Sequence, residues 1–119
     1  MTHAGRLRRH ERRAVAAEFR VHDSNDVNAG EITFDALDIS ESGAFLRSDL
    51  LLSEGEALDV SFHLPGRAEP IRAQARIAWA ARHGEVKGAP GMGITFTSLG
   101  ATDRRALADF IGAGQPRRR

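Results

Sequence analysis

Ile71-Arg72-Ala73-Gln74-Ala75-Arg76-Ile77-Ala78-Trp79 sets Ile71, Ala73, Ala75, Ile77 and Trp79 in one phase and Arg72, Gln74 and Arg76 in the other. A period of two predicts a half-buried β-strand. The same alternation runs through Val15, Ala17, Phe19 and Val21, through Ile32, Phe34 and Ala36, and through Leu58, Val60, Phe62 and Leu64. Ala44-Phe45-Leu46 and the set Met92, Ile94 and Phe96 add two shorter runs. After Ala36, Leu37 and Ile39 carry the pattern in the opposite phase, which predicts a bulge or bend just before Asp38. Turn formers crowd His22 to Gly30, Ser53 to Glu56, Pro65-Gly66-Arg67 and the glycine-rich stretch 84–91. The end differs, because Leu107, Phe110 and Ile111 stand at helical spacing. They predict a helix with Thr102 as N-cap and Gly112 as its stop. About six antiparallel strands would leave exposed edges in an open sheet, so the economical fold is a six-stranded antiparallel β-barrel with a C-terminal α-helix.

The 119 residues suit one domain with one modest core. Residues 1–13 are basic and lack apolar periodicity, which predicts a flexible arm; 14–112 hold the barrel and its helix, and 113–119 a disordered tail. A net charge of +1 excludes a uniformly basic nucleic-acid binder, although positive charge gathers at residues 6–13 and 117–119. With no cysteine, disulfides and thiolate metal sites are excluded. No apolar h-region follows the basic start, and no run approaches the ~20 apolar residues of a transmembrane helix. The expectation is a soluble, cytoplasmic protein. His3, His10, His22, His63 and His83 show no metal-ligand spacing, and Ser42-Gly43 lacks the glycine-flanked elbow of hydrolases. Neither a metal site nor an enzyme is expected.

Two polar segments carry the chemistry. Arg6-Leu7-Arg8-Arg9-His10-Glu11-Arg12-Arg13 gathers guanidinium forks, which bind phosphates bidentately, stack on purines and donate to guanine O6 and N7. The bland alternative is a solvated charge run. Asp38-Ile39-Ser40-Glu41-Ser42-Gly43 offers a carboxylate for guanine N–H groups, a hydroxyl, and a glycine where backbone can come close. Its alternative is a structural serine or Asx turn with Gly43 present for its φ. Trp79, closing its strand, is expected in the core or at the barrel end. Gly91-Met92-Gly93-Ile94 lacks the setting of a dinucleotide fingerprint and predicts a strand approached closely by other atoms.

Taken in order, these segments resemble the PilZ domain family, the bacterial receptors of the second messenger cyclic di-GMP. Arg8-Arg9-His10-Glu11-Arg12 fits its R-x-x-x-R motif, and Asp38 to Gly43 fits [D/N]-x-S-x-x-G in full. The likeness continues through Ala75-Arg76-Ile77-Ala78-Trp79 and Gly91-Met92-Gly93-Ile94-Thr95-Phe96 to the closing helix. Leu64-Pro65-Gly66 followed by Glu69-Pro70-Ile71 looks like the single-domain members of myxobacteria. The resemblance implies a non-enzymatic cyclic di-GMP receptor whose ligand contacts fall at Arg8, Arg9, Arg12, Arg13, Asp38, Ser40 and Gly43. Arg8 with Arg12 is the preferred register, since it leaves Arg13 to start the strand; Arg9 with Arg13 also satisfies the motif. It further implies an arm that orders around the ligand and a protein effector in motility, exopolysaccharide or regulatory signalling. Two alternatives stand beside it: a β-barrel module binding nucleic acid or an acidic protein through its arm, and a PilZ domain that no longer binds the nucleotide.

Overall fold

The computed structural model describes residues 12–26, 28–50, 52–81 and 90–113. The expected flexible arm before Arg12 and the tail after Ala113 lie outside those residues. Six strands, β1 (Arg12–Asp23), β2 (Glu31–Ser40), β3 (Gly43–Arg47), β4 (Ala57–Phe62), β5 (Ile71–Ala81) and β6 (Gly91–Leu99), precede helix α1 (Ala101–Ala113). They close into an antiparallel barrel in the order β1-β2-β3-β6-β5-β4. The six alternating runs of the sequence are these six strands.

The inward phases build one core. Phe19 stacks on Phe62 with ring centroids 4.1 Å apart, and Phe62 stacks on Phe96 at 6.1 Å. Ile39, Leu46, Leu58, Ile71, Ile77 and Met92 are fully buried around them. Leu107 and Ile111 bring the apolar stripe of α1 into the same core, with Phe110 half-buried beside them. Removing such side chains from water contributes about 1.5–3 kcal/mol each, which is why the alternation dictates the fold. Two turns need glycine in the left-handed region: Gly55 has φ 85° and Gly66 has φ 81°.

The structure corrects several expectations in detail. The predicted phase slip is a bulge between Ala36 and Asp38 against β3: past it Ile39 is buried, while Leu37, outward in the phase set by Phe34 and Ala36, is 39% exposed. Ile32 is also 39% exposed; it lies beyond Asp35, the outermost β2 residue paired with β3. The helix begins two residues earlier than a Thr102 cap requires. The Arg104 N–H donates to Gly100 O at 2.8 Å, so Gly100 holds the N-cap position and Thr102 lies in the first turn. Gly112 lies within the last turn and does not end the helix. Asp103, also in the first turn, accepts the Arg72 N–H at 3.1 Å and pins α1 to β5. No helix among the described residues is long and apolar enough to cross a membrane.

Candidate functional site

Antiparallel pairing of β1 with β2 runs the start of one strand along the end of the other. Arg12 stands opposite Ser40, Arg13 opposite Ile39, and Ala14 opposite Asp38. Directly opposed Cα atoms are about 5 Å apart, so the register closes a sequence gap of 26 residues between Arg12 and Asp38. β1 begins at Arg12, so Arg12 and Arg13, read from the sequence as the end of the arm, carry strand backbone. Arg8 and Arg9 lie outside the described residues.

Within the second motif each residue has a distinct place. Asp38 is half-buried and sits between Ala14 on β1 and Phe45 on β3. Ile39 is fully buried and anchors the turn to the core. The Ser40 side chain is 0% exposed. Its Oγ accepts the N–H groups of Ser42 and Gly43, both at 3.2 Å, and lies 3.3 Å from Gly43 O and 3.2 Å from Ser42 Oγ. The hydroxyl that the sequence offers to a ligand is thus engaged inside its own turn. Ser42 O accepts the Phe96 N–H at 2.8 Å, which ties the turn to β6.

Gly43 is required for a reason other than either expected from sequence. Its φ is not among the positive ones. A Cβ placed there would overlap the Ile94 carbonyl oxygen of β6. The close approach is strand to strand, and it seats the turn against the barrel wall.

The sequence places Trp79 in the core or at the barrel end. Trp79 is 43% exposed and not in the core. A register shift between Ile77 and Trp79 against β6 breaks the alternation, so the indole emerges on the outer wall. It stacks on Phe45 with centroids 5.5 Å apart and an interplanar angle of 24°. The two rings roof Gly93 and Gly91: a Cβ at Gly93 would strike the indole, and one at Gly91 the Phe45 ring. The approach expected at Gly91-Met92-Gly93 is made by these aromatics. The pairings Asp38 with Phe45, Phe45 with Gly93, and Gly93 with Trp79 place a carboxylate and an aromatic platform in one cross-strand row. The two glycines flanking Met92 were the available signal, since bare backbone on an outer wall invites a covering ring.

The family model for the PilZ domain matches residues 6–113. The chain therefore belongs to the PilZ domain family. No curated protein matches it. Among solved structures it is similar to the Bacillus subtilis inhibitor of motility MotI/DgrA, with TM-score 0.72 and 18% identity over 87% of this chain and 49% of that one. It is also similar to the PilZ domain of YcgR from Escherichia coli, solved with c-di-GMP, with TM-score 0.67 and 15% identity over 89% of each chain. A third likeness is to MrkH of K. pneumonia, solved as a c-di-GMP complex, with TM-score 0.68 and 16% identity over 88% of this chain and 50% of that one. At such identities the likeness establishes the fold. The chain spans about half the length of MotI/DgrA and MrkH.

Proposed function

We propose that this protein is a cyclic di-GMP receptor that works by binding and not by catalysis, and that passes ligand occupancy to a protein partner. The observation that carries the reading is the register of β1 on β2, which sets Arg12 against Ser40 and two pairs away from Asp38. An arginine cluster and a carboxylate brought together in this way match the two ends of a guanine nucleotide. Guanidinium forks take phosphate oxygens and the O6 and N7 edge, and the carboxylate accepts guanine N–H groups. The Phe45–Trp79 platform adds a stacking surface in the row of Asp38. In this reading Ser40 and Gly43 shape the turn that presents Asp38, and Arg8, Arg9, Arg12 and Arg13 supply the cations. Family membership and the c-di-GMP bound to the YcgR domain and to MrkH are consistent with it.

The energetics permit a ligand-driven ordering of the residues before β1. Fixing backbone costs on the order of 1–2 kcal/mol per residue. Several charge-assisted hydrogen bonds of roughly 1.5–3 kcal/mol each offset it. Ordering of that kind changes the surface that a partner meets.

Titration calorimetry with cyclic di-GMP is the decisive experiment. Saturable heat with a Kd below ~100 μM is expected, a free energy of at least about −5.5 kcal/mol. Arg12→Ala and Asp38→Ala should each weaken binding roughly tenfold to a hundredfold, the equivalent of one charge-assisted bond. No heat at that concentration, together with steeply salt-dependent binding to random-sequence RNA, would replace this reading with the nucleic-acid module.

A further inference from the structure

A polar cleft lies on another part of the wall, where β1, β4 and β5 run side by side. Arg20 of β1 pairs with Ser61 of β4, and Ser61 pairs with Arg72 of β5, so the three form one cross-strand row. The next row sets His22 opposite Asp59, and Asp59 opposite Gln74, with Glu31 paired to His22 from β2. A cleft of about 390 Å³ opens over both rows, and an adjoining one of about 510 Å³ shares Arg20, Glu31, Ser61 and Arg72. Arg20 stands eight residues along β1 from Arg12, roughly 25 Å at the rise of a strand, so this cleft is separate from the Asp38 site.

The geometry points to a second binding site here, for a small phosphomonoester that carries hydroxyl or amino groups. This inference stands independently of the cyclic di-GMP reading.

Two strand spacings separate the Cα atoms of Arg20 and Arg72 by about 10 Å, so both side chains reach one group lying over Ser61. Both are exposed, while Ser61 is half-buried between them and puts its hydroxyl on the floor. Among the described residues neither guanidinium is held by a hydrogen bond or ion pair; Arg72 is engaged only through its backbone N–H. Two forks and one hydroxyl supply more donors than a carboxylate's two oxygens accommodate, whereas a phosphate dianion offers three terminal oxygens. The two positive charges also match its charge of about −1.5 to −2. The next row has the opposite character. Glu31 and Asp59 are exposed carboxylates, which accept hydrogen bonds from hydroxyl or amino groups. His22 Nδ1 lies 3.1 Å from Gly30 O, so Nδ1–H donates to that carbonyl and Nε2 is left for the cleft. The cleft therefore reads an anion at one end and donors at the other. Its volume lies within the range of small-molecule sites, about 300–1,000 Å³.

The test is amide chemical-shift mapping on the full chain with ribose 5-phosphate, ribose, inorganic phosphate and acetate. Ribose 5-phosphate should give saturable shifts at Ser61, Arg72 and Gln74 below about 10 mM, phosphate alone weaker ones, and ribose and acetate none. Arg20→Ala and Arg72→Ala should each weaken the interaction about tenfold, Arg20→Lys should be intermediate, and Asp38→Ala should leave it unchanged. Unchanged urea midpoints will show that these surface variants fold. Acetate acting as well as phosphate would overturn the phosphate assignment. Absence of saturable shifts in this row, or shifts confined to residues 12–43, would overturn the site itself.

Discussion

Ser40 shows how a motif residue can matter without touching a ligand. Its oxygen accepts two backbone N–H groups within a buried turn. Ser40→Ala would leave both donors without that acceptor and should destabilise the domain by about 1–3 kcal/mol, read from the shift in urea midpoint. Gly43→Ala should cost at least as much, about 2–3 kcal/mol, because its Cβ forces β3 away from the Ile94 carbonyl. Asp38→Ala should weaken nucleotide binding while shifting the urea midpoint less than Ser40→Ala does. If Ser40→Ala abolished binding at unchanged stability, the turn-shaping role assigned here would fail. The sequence announced a turn at these positions, because serine and glycine between apolar runs have few other uses. It did not reveal that Ser40 is sealed off from solvent. Ile39 and Ser40 are buried in succession, which alternation does not anticipate. That double burial arises where the chain folds back onto β6, a contact between residues more than fifty positions apart.

At the scale of elements, all six strands and the helix were legible, since each carries its period plainly. What escaped was where the period breaks. The bulge at Ala36 and Asp38 left a phase slip within one strand and was foreseen. The shift at Ile77 and Trp79 leaves none, because the alternation continues unbroken through Trp79 and the slip exists only relative to β6. The sequence therefore points Trp79 to the core or the barrel end, not to the outer wall. Trp79→Ala should uncover Gly93 and lose a ring pair worth about 0.5–1.5 kcal/mol, with faster hydrogen exchange around Gly93 near the start of β6. Exchange unchanged from wild type would show that the indole does not protect that strand. The helix offers a parallel case. Its apolar spacing located it, whereas its cap depended on a backbone bond from Arg104 to Gly100 that no side chain advertises.

For the whole molecule, a closed barrel sharing one core with α1 should unfold as a unit. Leu107 is fully buried against the barrel, so Leu107→Ala should cost about 2–5 kcal/mol and lower the urea midpoint without broadening the transition. A separate early transition for the helix would contradict a single core. β1 is paired unevenly: Phe19 to His22 join both β2 and β4, but Arg12 to Ala14 join β2 alone among the described pairings. Among the described residues the start of β1 is thus a strand edge without a second partner, and open edges are where β-proteins stick to one another. It coincides with the arginines proposed to grip the ligand. On the proposed function, a bound dinucleotide that neutralised these arginines would also cover the edge on which they stand. Nucleotide occupancy and colloidal behaviour would then be linked, so charge-removing substitutions at Arg12 and Arg13 should promote self-association that added ligand does not reverse.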